Sequence, residues 1–353
     1  MKSFIILNLI VLLQLFLTVH SKAVADESNE LKTIPKTFVT LDKYKNVTVW
    51  RNDGNANKNL QPLVLDSKKL TKKISSNKIN NLSAVYYKSQ LNNFELSIYN
   101  ALEKICNQRV VKALAVTITN LDGFKVQENE FDNRVGRAVG AFMRDNQEYW
   151  WIHSYEKSGS VANGYVSKVT VKIVSEYTIA EINKYNSKIL STAKSIAEQA
   201  NKEKTLYKKL LYIHDYLVKS ITYTEGEGSV YHNLYGALIN KKCVCGAYGE
   251  AFAVISRLVD GYVIGVNSYV HGWDYAKIGN KWYAVDATWD DLDDGKKPRH
   301  NYFLVGTNTV VADDGHRYKD ETEVRTIADF IEVGDATGFS FPTLSKEKYV
   351  DKN

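Results

Sequence analysis

Residues 270–289 read VHGWDYAKIGNKWYAVDATW and form two aromatic-rich runs on either side of Gly279-Asn280. That dipeptide is a strong signal for a two-residue turn between antiparallel strands. With such a turn, Asp286 lies opposite Trp273 and becomes a diagonal neighbour of His271 on one face of the hairpin. A slip of one residue in the register would put the two side chains on opposite faces. The sequence therefore predicts a hairpin that presents an imidazole and a carboxylate together.

The elements around this hairpin follow an order of helices first and strands afterwards. Apolar residues recur at helical spacing over residues 179–201, 204–221 and 245–259. Runs rich in β-branched and aromatic residues predict strands at 262–267, 270–278 and 281–289, with a candidate fourth strand at 302–305. Helices followed by antiparallel strands are typical of the α+β class.

Cys245 stands where the last of these helices begins, because residues 241–244 do not fit its pattern. A helix N-terminus favours a thiolate through its free N–H groups and its dipole, and it can also donate hydrogen bonds to an oxyanion. A cysteine nucleophile further needs an imidazole and a group that orients the imidazole. Cys245, His271 and Asp286 meet this requirement. Further candidates for the oxyanion site or the cleft are Tyr235, Gly246 and Trp273.

Three motifs around these residues resemble the bacterial transglutaminase-like superfamily. They are Cys245-Gly246-Ala247-Tyr248, His271-Gly272-Trp273-Asp274 and the run WYAVDATWD at 282–290. The family shows Cys-x-Gly-Tyr, His-Ala-Trp-Asn and Trp-Tyr-x-Val-Asp-x-Thr-Trp-Asp at these places, so Asp274 stands where the family has asparagine. The resemblance is specific over residues 205–305 and extends more weakly back to about residue 90.

The resemblance implies a papain-like α+β core, in which a helix carrying the cysteine packs on an antiparallel sheet carrying the histidine and the aspartate. It implies that Cys245 is the nucleophile, His271 the base and acid, and Asp286 the residue that orients the imidazole. The expected enzyme is a transglutaminase-like cysteine acyltransferase or peptidase, which acts on protein glutamine side chains or peptide bonds through a thioester. The alternative is a catalytically inactive surface protein that keeps this core as a binding scaffold.

The first 25 residues have the parts of a secretory signal peptide. Lys2 precedes an apolar run at 4–19, and Ala23-Val24-Ala25 is a small-residue cleavage signal. We therefore expect the mature protein outside the cytoplasm, secreted or at the cell surface, with no stable membrane insertion after cleavage.

The rest of the chain divides into four predicted segments. Residues 26–83 are polar and rich in Lys and Asn, and they predict a loosely ordered stalk or an addition to a sheet edge. Residues 84–180 mix helical and strand patterns, including a predicted strand at 149–155, and indicate an N-terminal mixed α/β lobe. Residues 181–335 are the expected catalytic domain, and residues 336–353 the C-terminal tail.

Composition narrows the class of protein further. The 353 residues are 44% hydrophobic and carry a formal net charge of +6. These values are typical of a globular chain and do not indicate a nucleic-acid binder. The expected partner is a protein or peptide substrate, with contact to anionic cell-wall polymer as a weaker alternative. The odd number of cysteines excludes a scaffold framed by disulfides alone and leaves Cys106, Cys243 or Cys245 free.

No cofactor or metal is expected from the remaining motifs. The spacing in Cys243-Val244-Cys245 is poor for a tetrahedral zinc site. The acidic run 290–295 lacks the register of a calcium-binding loop, so calcium is a minor alternative and a solvated turn is expected. His214 and Asp215 are adjacent on a predicted helix and should point apart, so His214 is expected to be structural rather than half of a dyad.

Overall fold

The computed structural model describes residues 32–40, 62–70, 85–108, 110–226, 228–267, 271–291, 297–309 and 338–351, and of residues 32–40 it describes the backbone alone. The predicted signal peptide lies outside the described residues. Among the described helices, none is long and apolar enough to cross a membrane.

The N-terminal half is built around a five-stranded sheet with two helices. In chain order the elements are β1 (Lys32–Thr40), β2 (Leu63–Asp66), α1 (Asn93–Cys106), β3 (Ala115–Thr119), α2 (Phe131–Asp145), β4 (Ser154–Ala162) and β5 (Tyr165–Val174). The strand order is β1-β4-β5-β3-β2, and only the β2–β3 pair is parallel. Helices and strands thus mix in this half, in line with the predicted α/β lobe.

Local sequence signals explain why several of these elements begin or turn where they do. Asn92 and Glu95 form a reciprocal capping box at the start of α1. The β4–β5 hairpin turns at Asn163-Gly164, whose φ values of 53° and 77° suit the tight turns that favour an Asn-Gly pair.

The strands β1 and β2 come from the segment predicted as a loosely ordered stalk or an edge addition. They occupy the two edges of the sheet, which agrees with the edge addition and not with the stalk. The strand predicted at 149–155 is wrong, because residues 147–151 form turns and the next strand begins only at Ser154. The aromatic side chains of Trp150 and Trp151 are buried there, so their hydrophobicity reflects packing rather than strand alternation.

The C-terminal half carries the remaining helices and a second, antiparallel sheet. Its elements are α3 (Ile179–Ala200), α4 (Leu206–Ser220), β6 (Thr222–Tyr223), β7 (Lys242–Cys243), α5 (Cys245–Arg257), β8 (Tyr262–Asn267), β9 (Gly272–Ile278) and β10 (Lys281–Val285). A single π-helical turn, Gly236–Asn240, precedes β7. The sheet has the order β10-β9-β8, and every residue of α5 is buried.

The hairpin β9–β10 has the register that the sequence predicts. Lys281 pairs with Ile278, and Val285 pairs with Asp274. Gly279 adopts a φ of +59°, which the turn requires and which glycine adopts without strain.

The second strand of this hairpin is shorter than expected, since it ends at Val285 and not at residue 289. Beyond it, the Asp286 N–H donates to the carbonyl of Tyr302 at 3.0 Å. Ala284 and Val305 exchange two backbone hydrogen bonds of 2.9 Å, so the candidate strand at 302–305 is reduced to an isolated bridge. The chain after Val285 therefore returns to lie beside β10 at the edge of the sheet.

A buried arginine connects α5 to the turn that follows α2. The guanidinium of Arg257 donates to the carbonyl of Val263 at 2.9 and 3.1 Å and to Gln147 Oε1 at 2.8 Å. Burial lowers the pKa of Arg257, while nearby carboxylates such as Glu148 and Asp145 raise it. This buried charge is accommodated because oxygen acceptors surround it.

Candidate active site

Cys245 is the first residue of α5, as the sequence predicts. Val244 precedes it in an extended conformation and is the N-cap residue of the helix. The N–H groups of Ala247 and Tyr248 donate to the Val244 carbonyl at 3.1 and 3.4 Å, so the amides of Cys245 and Gly246 lie before the first in-helix bonds. Amides at this position point out of the helix and contribute to its positive end.

His271 and Asp286 form a buried ion pair at the end of the hairpin. The Nε2 atom of His271 lies 2.5 Å from Asp286 Oδ2. The other carboxylate oxygen accepts the backbone N–H groups of Thr288 and Trp289 at 3.0 and 3.1 Å. These two bonds fix the carboxylate because the chain turns immediately after β10.

Cys245 completes this chain of hydrogen bonds. Burial lowers the pKa of His271, but the charge and hydrogen bond of Asp286 and the hydrogen bond of Cys245 raise it, to about 10. The imidazole is therefore held as an imidazolium at neutral pH, beside a sulfur at a helix N-terminus. The structure thus brings together the three residues that the sequence predicts to act as a triad.

Two indole rings lie parallel to the imidazole. The ring centroid of Trp289 is 4.6 Å from that of His271 with an interplanar angle of 8°, and that of Trp273 is 5.9 Å away at 12°. Both indoles are buried. An aromatic face against an imidazolium favours the charged form and limits rotation of the ring. Trp273, a cleft candidate from the sequence, is thus a neighbour of the predicted base.

Tyr235, the other side-chain candidate for the oxyanion site, packs in an aromatic cluster. Its ring lies 4.7 Å from Tyr185 and 6.0 Å from Trp150. The pKa of Tyr235 is raised first by burial and further by Tyr185, including a hydrogen bond between the two hydroxyls. These contacts favour a packing role for Tyr235 over donation to an oxyanion.

The other two cysteines have different surroundings. Cys106 and Cys243 are free thiols that are buried, and burial raises the pKa of both. Cys243 lies on β7, in the lead-in to α5, and the neighbouring Cys245 raises its pKa further. Neither has the helix N-terminus that Cys245 has.

Asp274, which stands where the transglutaminase-like family has asparagine, is fully enclosed. Burial raises its pKa well above the usual range, and the neighbouring carboxylates of Asp286 and Glu250 raise it further, against the opposing charge of Arg257. Burial therefore disfavours a negative charge on this carboxyl group, at the position where the family has a neutral amide.

Sequence reasoning missed a second polar network beside this site. His214 is completely buried, and its Nε2 lies 3.1 Å from Asp290 Oδ2. The expectation that His214 and Asp215 point apart is wrong, since His214 Nδ1 lies 3.2 Å from Asp215 Oδ1. Spacing along a helix fixes the Cβ positions, but the imidazole and carboxylate rotate toward each other.

The solvated turn expected at 290–295 is also wrong for its first two residues. Asp290 and Asp291 are both buried. Asp290 accepts the N–H of Tyr302 with both oxygens, at 3.1 and 3.2 Å, and Asp291 accepts the hydroxyl of Tyr248 at 2.7 Å. Residues 292–296 lie outside the described residues.

One protein-family model matches part of the chain. Residues 193–287 match the family model of the transglutaminase-like superfamily core. That segment includes α4, α5 and the hairpin that carries His271 and Asp286, and the α+β core is of the papain-like, transglutaminase-like type.

The chain was also compared with solved structures and with curated proteins. One solved structure, described as the crystal structure of a TGase, aligns over 68% of this chain and 72% of that chain, with 14% identity and a TM-score of 0.26. No curated protein matches the chain.

Proposed function

We propose that the protein is a secreted cysteine enzyme that acts on amide bonds through a thioester at Cys245. The observation that carries the proposal is the continuous hydrogen-bonded chain from Cys245 at a helix start through His271 to Asp286. A thiolate beside an imidazolium is the resting state that a cysteine nucleophile requires.

The chemistry follows from this arrangement. The Cys245 sulfur attacks the carbonyl carbon of a glutamine side chain or peptide bond, and the new C–S bond moves an electron pair onto the oxygen. The amides at the start of α5 stabilise that oxyanion. As the oxyanion collapses, the C–N bond breaks and His271 gives its proton to the departing nitrogen. Water or a lysine amine then attacks the thioester carbon and gives a proton to His271. As this second oxyanion collapses, the C–S bond breaks and Cys245 leaves as the thiolate beside the His271 imidazolium.

The remaining groups support this cycle from outside the reacting atoms. Asp286 orients the imidazole and balances its charge, and its own carboxylate is fixed by the two amides that follow it. The stacked indole of Trp289 keeps the imidazole in the plane that faces both partners.

Three readouts in one incubation separate the possible reactions. The mature protein is mixed with a glutamine-rich protein whose lysines are blocked and with a fluorescent primary amine. Label on the protein indicates acyl transfer, ammonia without label indicates hydrolysis of glutamine, and new fragments indicate peptidase activity. Cys245→Ser should abolish whichever signal appears, while Cys243→Ser, the matched control two residues away, should keep most of it.

The opposite pattern would overturn the assignment of the nucleophile. If Cys243→Ser is inactive and Cys245→Ser is active, the chemistry belongs to the other thiol. If the folded wild-type protein gives no label, no ammonia and no fragments across a panel of substrates, an inactive binding scaffold is the better account.

A further inference from the structure

A second group of side chains connects α4 to the chain segment that follows the triad aspartate. His214 Nδ1 lies 3.2 Å from Asp215 Oδ1, and His300 Nε2 lies 2.7 Å from that same oxygen. The three atoms all lie within 4.8 Å of one another. We call these residues the His-Asp-His cluster.

A buried carboxylate fixes the orientation of His214 from the other side. Asp290 Oδ2 lies 3.1 Å from His214 Nε2, and neither side chain has any solvent exposure. When Nε2–H donates to Asp290, the free electron pair of a neutral imidazole lies on Nδ1, which faces Asp215. Histidines that bind metals commonly donate their second N–H to a carboxylate in this way.

The charge of the cluster also favours a cation. Asp215 and Asp290 place two carboxylates on the two sides of one imidazole. Two ammonium groups lie near these residues. That of Lys219 is 4.0 Å from Asp215 Oδ2 and more than half exposed, and that of Lys348 donates to the His300 carbonyl. A proton on His214 or a metal ion bound at its Nδ1 would supply positive charge beside the buried carboxylate of Asp290.

We propose that His214, Asp215 and His300 bind one Zn²⁺ ion, with Asp290 orienting His214 and solvent at the fourth position. Two imidazole nitrogens and one carboxylate oxygen are ligands that suit zinc, whereas calcium prefers oxygen ligands alone. None of these four residues belongs to the proposed triad, so the ion has no step in the acyl transfer proposed above.

The distances allow a tetrahedral site with small movements. Ligand atoms about 2.0–2.1 Å from zinc lie about 3.3 Å apart in a tetrahedron. The two Asp215 distances, 2.7 and 3.2 Å, are shorter than that value by about 0.6 and 0.1 Å, so His300 must move away from Asp215 slightly to admit the ion. The His300 side chain is 44% exposed and that of Asp215 25%, so these two can adjust, while His214 is held in place.

The expected consequence of zinc binding is a fixed position for the segment behind the triad. His214 and Asp215 belong to α4, whereas His300 lies shortly before Tyr302. The carbonyl of Tyr302 accepts the N–H of Asp286. A zinc ion would therefore tie α4 to the chain that supports the carboxylate of the proposed triad.

Zinc binding is tested without any assay of enzyme activity. The Cys245→Ala protein, free of an affinity tag, removes the thiol that lies beside the His271 imidazole, which is a separate pair of zinc-binding groups. Titration calorimetry should show about one Zn²⁺ per chain. Cobalt(II) in the same site should give the visible spectrum of a tetrahedral complex, which would not arise from scattered surface sites.

Substitutions locate the metal. His300→Ala removes an exposed ligand and should lower zinc affinity at least about 100-fold, and Asp290→Asn keeps all three ligands and should lower it about 10- to 100-fold. His153 is a partly exposed histidine that faces Glu176. The matched control is His153→Ala, which should leave the zinc affinity unchanged. Circular dichroism checks that each variant folds.

Two results would overturn the proposal. One is zinc affinity that is the same in His300→Ala as in the parent, and the other is an equal loss in His153→Ala. Both results are measured in the Cys245→Ala protein, which has no nucleophile, so they do not test the proposed acyl transfer. In the same way, a failure of the acyl-transfer proposal would not change the measured zinc affinity.

Discussion

Replacing Asp286 by asparagine should change how the stability of the protein depends on pH. His271 is buried, which lowers its pKa, yet the charge and hydrogen bond of Asp286 and the contact with Cys245 raise that pKa to about 10. The usual pKa of a histidine is about 6.5, and a difference of one pKa unit corresponds to about 1.4 kcal/mol. The folded state therefore favours the imidazolium form of His271 by up to about 5 kcal/mol.

The sign of the effect follows from the direction of this shift. A group whose pKa is higher in the folded than in the unfolded state contributes stability that is fully present below the unfolded pKa. That contribution is lost as pH rises through the folded value. The His271–Asp286 pair should therefore stabilise the protein most below about pH 6.5 and progressively less up to about pH 10.

Asp286→Asn keeps the shape of the side chain but removes its charge. Asp286 supplies the two largest contributions that raise the His271 pKa. We expect the variant to lose about 3–5 kcal/mol of unfolding free energy near pH 6, which is the range for breaking a buried pair, and much less near pH 10. Urea unfolding followed by tryptophan fluorescence measures both, in a Cys245→Ala background that removes titration of the thiol.

The matched control is Asp260→Asn. Asp260 is exposed and has a φ of 63°, which asparagine tolerates, so the same chemical change should leave the stability almost unaltered at every pH. Parallel curves of stability against pH for Asp286→Asn and its parent would refute the reasoning. They would mean that the imidazolium does not depend on this carboxylate.

Two further substitutions probe the surroundings of the site. A Cβ atom at Gly236 would lie 2.0 Å from the Val230 carbonyl oxygen, so Gly236→Ala should lower the unfolding free energy by about 1–3 kcal/mol. The control is Gly123→Ala, which should not lower it, because the space around Gly123 is open. Thermal unfolding of both variants measures this, and equal melting temperatures would contradict it. Trp289→Leu removes the ring stacked on His271 and should slow turnover about 3- to 30-fold, whereas Trp289→Phe should keep most of the rate. Initial rates measure the effect, and equal rates for Leu and Phe would show that stacking is not needed.

Local signals explain why the hairpin and the helix start could be predicted from the sequence. The Gly279-Asn280 turn fixes the register of β9 and β10, and register fixes which side chains share a face. The start of α5 at Cys245 follows from where the apolar helical pattern begins. Both features depend on neighbours within a few residues along the chain.

The features that were missed depend on contacts between distant parts of the chain. Residues 26–83 left both a stalk and an edge addition open, because β1 and β2 are defined by partners far along the sequence that a polar composition does not indicate. The burial of Asp290 depends on His214 in α4, 76 residues earlier. An acidic run resembles a solvated turn when it is read alone, because no pattern within it indicates an imidazole on another helix.

The rate of alkylation of each cysteine as a function of pH tests the central claim most directly, since it needs no knowledge of the substrate. Mass spectrometry of peptides assigns the label to Cys245, Cys243 or Cys106. If a thiolate–imidazolium pair exists, Cys245 should react rapidly already at about pH 6, far ahead of the two thiols whose pKa burial raises, and His271→Gln should abolish that advantage. If Cys245 instead becomes reactive only at or above about pH 8.5, as an ordinary thiol does, the enzyme account is contradicted.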